Sequence, residues 1–337
     1  QHGRLLVTVG ARKNMRFIIY GAGGVGGVIG AQLHKAGTDI ALIARGEHLG
    51  RLQTEGLRYQ TPFVDECLQL PAFGHPEEIE PREDDVVIMT MKSQHTEAAL
   101  DALRAVRGSN IPVVCCQNSV ANERMALRRF AQVYAMLVYL PAQLTEPGTI
   151  QCHAKLKSGV LDLSVYPGGV DARCQTIADH LNAANFSVVP NPTVMRYKYA
   201  KLVMNLNNAV DALINKDEDT KAFAKQVKAE AYACLDAAGI DYASADEVRD
   251  RRKGVFESGD IPGVARVGGS SRQSLLRGTG DIEADFLNGE IVLLGRLHGV
   301  ATPANAALQV LSEEAARRRL PPGNFSLADI EAQMQLS

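Results

Sequence analysis

The stretch RFIIYGAGGVGGVIGAQLHKAGTDIALIAR, residues 16–45, predicts a strand, a glycine-rich turn, a helix and a second strand in direct succession. The apolar run Arg16–Tyr20 leads into the turn GAGGVG, residues 21–26. We expect the helix from about Val25 to Lys35 and the second strand from Ile40 to Ala44. This order is typical of the first unit of a dinucleotide-binding Rossmann fold.

Each glycine of the turn has a predicted task. Gly21 permits the tight turn, Gly23 lets the backbone approach a pyrophosphate, and Gly26 lets the helix pack closely on the strand. The unpaired N–H groups of the helix N-terminus and the positive end of its dipole favour an anion at that place. We therefore predict that the cofactor phosphates bind at Gly21, Gly23, Gly24, Val25 and Gly26.

Arg45 closes the second strand, at the position that distinguishes the two nicotinamide cofactors. An acidic residue there would accept the ribose 2′-hydroxyl of NAD, whereas an arginine accommodates the 2′-phosphate of NADP. Arg45 follows Gly23 at roughly the expected separation of about 20 residues. The sequence therefore predicts NADP(H) as the cofactor and Arg45 as a cofactor-binding residue. A solvated surface arginine and the use of both cofactors are the alternatives.

Length and composition indicate a protein of two domains whose partner is a small molecule. The chain has 337 residues, a formal net charge of −2 and 22% charged residues. A chain of this length is too long for a single small hydrophobic core, which favours two domains. No basic surface for nucleic acid and no polybasic helix for a membrane is evident. Residues 1–14 lack the features of a secretory signal and are set aside as an N-terminal extension, so we expect a cytoplasmic protein.

The cysteines predict free thiols and no metal site. They form neither a CxxC pair nor a Cys/His cluster with zinc spacing. Cys115 and Cys116 are neighbours in a predicted strand, where adjacent side chains point to opposite faces. The six positions are Cys67, Cys115, Cys116, Cys152, Cys174 and Cys234.

Strand and helix patterns alternate up to Pro190-Asn191-Pro192 and give way to helices after it. We therefore predict an α/β fold in which a Rossmann-type NADP-binding domain, residues 15–190, precedes an all-α domain, residues 191–337. The segment Leu57–Leu70 is expected to form a strand pair or an excursion around Thr61-Pro62. The other predicted elements of the first domain include Asp85–Met91, Thr96–Arg107, Ile111–Cys116, Ala121–Ala131, Val133–Tyr139, Val160–Val165, Ala172–Ala184 and Phe186–Val189. The predicted helices of the second domain are Val194–Ile214, Thr220–Ala238, Ala245–Glu257, Ser271–Leu276, Ile282–Leu297, Pro303–Arg318 and Ser326–Gln335.

Lys92 and Asn118 follow two successive predicted strands, Asp85–Met91 and Ile111–Cys116. Ligands of open α/β sheets bind outside the carboxyl ends of the strands, so both side chains are candidates for the cofactor side of the crevice. A solvated lysine and a turn-forming asparagine are the alternatives.

Two further candidates lie in the helical part of the chain. Lys201 and Asn205 are four residues apart and share one face of a predicted helix. Because its neighbours are apolar, Lys201 is placed to donate a proton from that face. Glu283 is expected to start an amphipathic helix, where its alternative role is to complement the helix dipole.

Seven stretches, in this order along the chain, resemble the motifs of ketopantoate reductases. The resemblance implies a Rossmann domain joined to an all-helical domain, in which NADPH reduces a 2-keto acid, with 2-dehydropantoate (ketopantoate) as the first choice of substrate in pantothenate biosynthesis. It spans Met15 to about Ala307. The motifs are GAGGVG, IARGEHL, MTMKSQ, QNSV, KYAKLVMN, SSRQSLL and GDIEADFLNGE.

The resemblance also implies individual roles. Lys201 corresponds to a catalytic lysine that donates to the ketone oxygen, and Glu283 to an active-site glutamate that contacts the substrate and supports the lysine. Asn205 and Ser271 correspond to substrate-binding residues. Lys92 and Asn118 correspond to residues near the nicotinamide end of the cofactor, where Asn118 is also expected to contact the substrate.

Three departures leave the substrate open. Ala209 replaces the usual second asparagine, Ser119 stands where a glycine is common, and Arg272 begins an unusual stretch after Ser271. A paralogous reductase of another keto acid, an opine-type or imine-forming dehydrogenase and an NADPH-sensing protein without activity are the alternatives. The apolar run Ile291–Leu294 is either core or the interface of a homodimer.

Overall fold

The computed structural model describes residues 15–255 and 257–336, so the expected extension, residues 1–14, lies outside the described residues. The strands are β1 (Arg16–Tyr20), β2 (Asp39–Ile43), β3 (Leu57–Gln60), β4 (Asp65–Leu68), β5 (Ala72–Phe73), β6 (Asp85–Met89), β7 (Val113–Cys115), β8 (Val133–Met136), β9 (Ala142–Glu146), β10 (Thr149–Cys152) and β11 (Leu163–Val165). The α-helices are α1 (Gly24–Lys35), α2 (Gly46–Thr54), α3 (Thr96–Arg107), α4 (Asn122–Leu127), α5 (Ala172–Ala183), α6 (Val194–Asn205), α7 (Asn207–Leu213), α8 (Lys221–Ala237), α9 (Ala245–Arg252), α10 (Ser270–Arg277), α11 (Asn288–His298), α12 (Pro303–Arg317) and α13 (Leu327–Met334).

The main sheet has seven strands in the order β11-β8-β7-β6-β1-β2-β5. Its strands are parallel except for β11, which pairs antiparallel with β8. The chain passes from β1 to β2 on one side and later adds β6 on the other side of β1. The carboxyl ends of β1 and β6 therefore flank a topological switch point, which is where open α/β sheets bind ligands. This arrangement confirms the Rossmann part of the predicted fold.

The glycine-rich turn connects β1 to α1 as predicted, and it leaves no room for side chains at two positions. Gly21 has a φ of +100°, and a Cβ there would lie 2.6 Å from the backbone nitrogen of Met91. A Cβ at Gly26 would lie 2.4 Å from Thr90 Oγ1. Both close approaches fix α1 against the ends of β1 and β6.

A second sheet, in the order β4-β3-β10-β9, covers the other side of α1. Tyr59 and Ile150 are buried there, and a Cβ at Gly27 would meet the Ile150 side chain at 3.0 Å. The strand pair expected around Thr61-Pro62 is confirmed, because β3 and β4 pair antiparallel. Helix α1 is thus packed between two sheets.

The part of the chain after residue 193 is helical, as predicted. Its core includes Leu213, Leu235, Ile291 and Leu308, all nearly inaccessible to solvent. In the run Ile291–Leu294, every residue except Leu293 is buried, so this run belongs to the core. The domain boundary near residue 190 stays a prediction.

Several predicted boundaries are wrong, each for a local reason. Phe186–Val189 is not a strand: Ser187 makes only a single bridge, and the N–H of Val189 donates to Asp162 Oδ1 at 2.8 Å instead of to a strand. The helix expected over Ala121–Ala131 ends at Leu127, after which the chain turns and buries Phe130. The predicted strands around β6, β7, β8 and β11 are shorter than expected.

Three predicted helices also differ. The helix expected over Val194–Ile214 divides at Leu206 into α6 and α7. The helix expected over Ala245–Glu257 ends at Arg252. Glu283 does not start a long helix, because a short 3₁₀-helix, Ala284–Phe286, comes first and the backbone of Leu287 (φ −111°, ψ −88°) separates it from α11.

Other expectations concern thiols, metals and membranes. All six cysteines are free, which confirms the predicted free thiols, and all except Cys67 are buried. Within the described ranges, no group of three or more His, Cys, Asp or Glu side chains is arranged to hold a metal ion. None of the helices in the same ranges combines the length and the apolar character that a membrane crossing requires.

The close packing at Gly26 makes a prediction about stability. We expect Gly26→Ala to lower the free energy of unfolding by about 1–3 kcal/mol, the usual cost of overpacking. Gly23→Ala is the matched control, because in the described part of the chain nothing beyond its two neighbours lies within 4 Å of a Cβ at that position. Urea denaturation of both variants measures the difference, and equal stabilities would contradict the packing described here.

Candidate active site

The candidate active site lies where the carboxyl ends of β1, β6, β7 and β8 meet helix α6. The glycine-rich turn forms one side of it, and the residues after β6 and β7 form its floor. Helix α6 and the segment around Glu283 approach from the helical part. The structure therefore brings five predicted residues into one region: Lys92, Asn118, Lys201, Asn205 and Glu283.

The glycine-rich turn presents an open backbone surface at Gly23. Apart from Gly23 and its two chain neighbours, no atom of the described residues lies within 4 Å of a Cβ built there, so a ligand can approach the backbone closely. His48 braces the turn: Gly148 N–H donates to its Nδ1 at 2.9 Å, so the hydrogen on Nε2 is donated to Ala22 O at 2.7 Å. Burial lowers the pKa of His48 and favours this neutral form.

Arg45 is exposed at the carboxyl end of β2, immediately before α2. Its guanidinium has no hydrogen-bond or ion-pair partner among the residues that the structure describes. Burial raises the pKa of the Tyr20 hydroxyl, and the charge of Arg45 opposes that shift. The guanidinium therefore interacts electrostatically with Tyr20 at the end of β1. This location next to the turn fits the predicted contact with a 2′-phosphate.

Lys201 projects from α6 toward the residues after β7. Its Nζ donates to Asn118 Oδ1 at 2.9 Å and lies 4.9 Å from the centroid of the Tyr139 ring. Burial and then the positive charge of Lys198 lower the pKa of Lys201 to about 7. A lysine with such a pKa can release a proton near neutral pH.

Glu283 is buried and is held by one residue of the floor. Ser93 donates both its N–H, at 2.9 Å, and its hydroxyl, at 2.7 Å, to Glu283 Oε1. Burial raises the pKa of Glu283, while the bonds from Ser93 and the charges of Lys92 and Lys201 oppose the shift. Glu283 and Lys201 therefore lie within electrostatic reach of each other.

A chain of buried hydrogen bonds fixes the floor of the site. Asn122 Nδ2 donates to Ser93 Oγ at 2.9 Å and to Asn118 O at 3.1 Å. Thr96 Oγ1 donates to Asn122 Oδ1 at 2.8 Å, and Gln117 Nε2 donates to Thr96 Oγ1 at 2.7 Å. The partners of Glu283 and Lys201 are thus positioned by one connected network.

Lys92 contacts the helical part of the chain. Its Nζ donates to Ser274 Oγ on α10, and burial followed by the charge of Arg277 lowers its pKa. His95 Nε2 lies 2.9 Å from Asp281 Oδ2 nearby, a contact that lowers the pKa of Asp281. The segment after β6 therefore joins the segment before α11 at two places, through Ser93 and through His95.

Asn205 and Ser271 occupy different positions relative to Lys201. Asn205 lines a small cleft together with Asn118 and Lys201. Ser271 is buried on α10, which packs against α7. Within the described ranges, Ser271 makes no hydrogen bond to another predicted site residue.

The three departures from the family pattern have structural consequences. Ser119 has a φ of +75°, a conformation in which glycine is unstrained, which explains why glycine is common there. Ala209 is buried in the helical core. The nearby Asn207 Oδ1 is buried without a hydrogen-bond partner in the described part of the chain. Arg272 Nη1 donates to Asp211 O at 3.0 Å.

The sequence did not single out Lys198, Ser93 or Tyr139. Lys198 had a detectable signal, since it is a second lysine on the same face of an apolar helix as Lys201. Ser93 directly follows Lys92 but has no chemistry that distinguishes it from other serines. The nearness of Tyr139 to Lys201 depends on how β8 packs against α6.

A Rossmann-type sheet whose crevice is completed by a buried lysine and glutamate from a helical part is an arrangement typical of oxidoreductases that use a nicotinamide cofactor. Residues 17–166 match the family described as "Ketopantoate reductase PanE/ApbA". Residues 193–316 match "Ketopantoate reductase PanE/ApbA C terminal". The chain belongs to the ketopantoate reductase family.

Individual relatives agree with this assignment. A 2-dehydropantoate 2-reductase of Aquifex aeolicus is 28% identical over 307 residues, which is 86% of this chain and 94% of that protein. The crystal structure of a PanE/ApbA family ketopantoate reductase from Ralstonia eutropha has a TM-score of 0.73 at 26% identity and covers 90% of this chain and 99% of its own. D-mandelate dehydrogenase bound to NADH and anilino(oxo)acetate shares the fold, with a TM-score of 0.75 at 22% identity, covering 91% and 100% of the two chains.

Proposed function

We propose that this protein reduces a 2-keto acid to a 2-hydroxy acid with NADPH, and that ketopantoate, which would yield pantoate, is its substrate. The observation that carries the proposal is the Lys201 ammonium, which is held by Asn118 at the carboxyl edge of the sheet and has a pKa near neutrality. Family membership supports the reaction class and the first choice of substrate.

Lys201 is proposed as the proton donor. Bound NADPH would supply a hydride to the keto carbon, and negative charge would then develop on the keto oxygen. A nearby ammonium stabilises that charge and transfers its proton to the oxygen. Asn118 accepts one hydrogen bond from Lys201 Nζ and leaves the other N–H groups of the ammonium available for the substrate.

Glu283, Asn205 and Ser271 are proposed to bind and orient the substrate. The Glu283 oxygen that does not contact Ser93 is available for a substrate hydroxyl, a group that ketopantoate carries. Asn205 lies beside Asn118 and Lys201, which suits a contact with the substrate. Ser271, on α10, is assigned to the substrate carboxylate by resemblance.

The cofactor is proposed to lie along the glycine-rich turn. Its phosphates would meet the open backbone at Gly23 and the amino end of α1, beginning at Gly24 and Val25. The exposed guanidinium of Arg45 suits a 2′-phosphate, which favours NADPH over NADH. Lys92 is proposed to lie near the nicotinamide end, although its ammonium contacts Ser274 in this structure.

A different 2-keto acid is the alternative substrate. Ala209 removes an amide from the helical side, and Asn207 brings a buried amide oxygen without a partner in the described ranges. In addition, a protein of the same fold is described as a D-mandelate dehydrogenase. A cytoplasmic location and a homodimer remain predictions.

A panel of keto acids decides between these substrates. NADPH oxidation is measured with ketopantoate, pyruvate, 2-ketoisovalerate and benzoylformate, each with and without ammonium ion. We expect ketopantoate to give the highest kcat/KM and ammonium to have no effect. A higher kcat/KM with another keto acid would replace ketopantoate, and ammonium-dependent oxidation would indicate an imine-forming enzyme.

Lys201→Ala tests the proposed proton donor. We expect kcat to fall at least about a hundredfold, the usual contribution of a positioned acid, while NADPH binding is retained. Because the donor acts in its protonated form, wild-type turnover should also decline as the pH rises through about 7. Lys225→Ala, at an exposed position of α8, is the control. Unchanged turnover in Lys201→Ala would remove this residue from the mechanism.

Arg45→Ala tests the cofactor assignment. Losing a charge-assisted contact with the 2′-phosphate is expected to weaken NADPH binding by about tenfold or more. NADH lacks that phosphate, so its affinity should change little. Fluorescence titration of both cofactors with Arg45→Ala and with the control Arg51→Ala measures this. Equal losses for NADPH and NADH would exclude a specific phosphate contact.

A further inference from the structure

Lys198 is a buried lysine whose ammonium lies among the carboxyl ends of the strands. Its side chain is 3% exposed, and its Nζ lies 2.6 Å from Glu123 Oε1 on α4, whose side chain is fully buried. The same Nζ donates to Gln117 O at 3.0 Å and to Met136 O at 3.2 Å, with Cys115 O at 3.4 Å. An ammonium group thus satisfies the carbonyl groups at the ends of β7 and β8.

These contacts bear on both partners of the Lys201–Asn118 hydrogen bond. Lys198 is three residues before Lys201, so both lie on one face of α6. Gln117, whose carbonyl Lys198 binds, directly precedes Asn118. The ammonium of Lys198 therefore fixes the rotation of the helix that carries the donor and the backbone that carries the acceptor.

We propose that Lys198, paired with Glu123, is a positioning residue that docks the helix carrying Lys201 onto the strand ends carrying Asn118. This inference rests on the proposed function, because it assigns Lys198 a role in the proton transfer by Lys201. It goes beyond that function because it gives Lys198 a positioning role that the proposed reaction does not assign. Its effect is transmitted through helix α6 and the backbone around Gln117.

The charge of Lys198 supplies a second effect on Lys201. The charged or titratable groups that act on Lys201 come from several elements: Lys198 on α6, Cys116 after β7, Arg252 on α9 and Glu283 before α11. Among these charges, Lys198 is the largest contributor to the lowered pKa of Lys201, and only burial contributes more. Removing the Lys198 charge should therefore raise the pKa of Lys201.

The test replaces the buried pair by an uncharged one, Lys198→Met with Glu123→Gln, so that neither charge is left unpaired. Two quantities are compared with the wild type: kcat for the best keto acid, and the pH midpoint of the Lys201 amine. The midpoint is measured by trace acylation with acetic anhydride over a pH series, with mass spectrometry of the Lys201 peptide. Lys225→Met is the control for the loss of a lysine at an exposed position.

We expect kcat of the double variant to fall by about tenfold to a hundredfold, the scale of a slightly misplaced catalytic group. The midpoint of Lys201 should rise by about one pH unit, because a nearby like charge has gone. Lys198→Arg keeps the charge and should keep the midpoint near its wild-type value. A purely structural pair would change the thermal stability alone.

A folded double variant with wild-type turnover and a wild-type Lys201 midpoint would overturn the proposal. If the double variant does not fold, the near-isosteric Glu123→Gln is tested instead. Reduced turnover in a folded Glu123→Gln variant supports the positioning role of Lys198, and wild-type turnover contradicts it. If the wild type reduces none of the keto acids, the proposed function fails. The acylation midpoints would then still decide whether Lys198 controls Lys201.

Discussion

Helix α1 can lie against β1 and β6 only because position 26 has no side chain. A Cβ there would fall 2.4 Å from Thr90 Oγ1 and 2.5 Å from Gly21 O, well inside van der Waals contact. The second sheet packs against the opposite side of the same helix through Ile150. With α1 fixed in this way, its amino end and the open backbone at Gly23 face the crevice at the switch point.

The crevice also concentrates polar groups that would be costly to bury separately. Carbonyl groups at the ends of β7 and β8 need donors, and Lys198 provides them while Glu123 balances its charge. Ser93 and its hydrogen-bond network do the same for the buried carboxylate of Glu283. Burial then shifts the pKa values of Lys201 and Glu283 toward neutrality, which is typical of groups that exchange protons.

The sequence predicted the elements that depend on local patterns. The glycine-rich turn, β1, α3 and the helical second part follow from spacing and apolar periodicity, and all are confirmed. Boundaries that depend on tertiary contacts were predicted less well. The run Phe186–Val189 has strand-like composition, but the Asp162 side chain takes the N–H of Val189. The segment around Glu283 is irregular because its carboxylate is bound by Ser93, 190 residues earlier in the chain.

The individual residues of the candidate site were predicted from the sequence, but the hydrogen bonds that connect them were not. Periodicity places Lys201 on a helix face, yet it gives no information that Asn118 accepts its hydrogen bond or that Lys198 lies beneath it. Pairings between residues about eighty positions apart depend on strand order and on how α6 docks. The identity of the substrate is constrained even less, because it depends on the helical side, where Ala209 departs from the family pattern.

The central claim is that the glycine-rich turn and Lys201 serve one reaction in one crevice. A crystal structure of the protein with NADP⁺ and the 2-hydroxy acid product tests it most directly. The product hydroxyl should lie within hydrogen-bonding distance of Lys201 Nζ, about 2.6–3.2 Å, with the nicotinamide ring against the product carbon that bears this hydroxyl. A product bound away from Lys201, or a nicotinamide directed away from the helical part, would contradict the account.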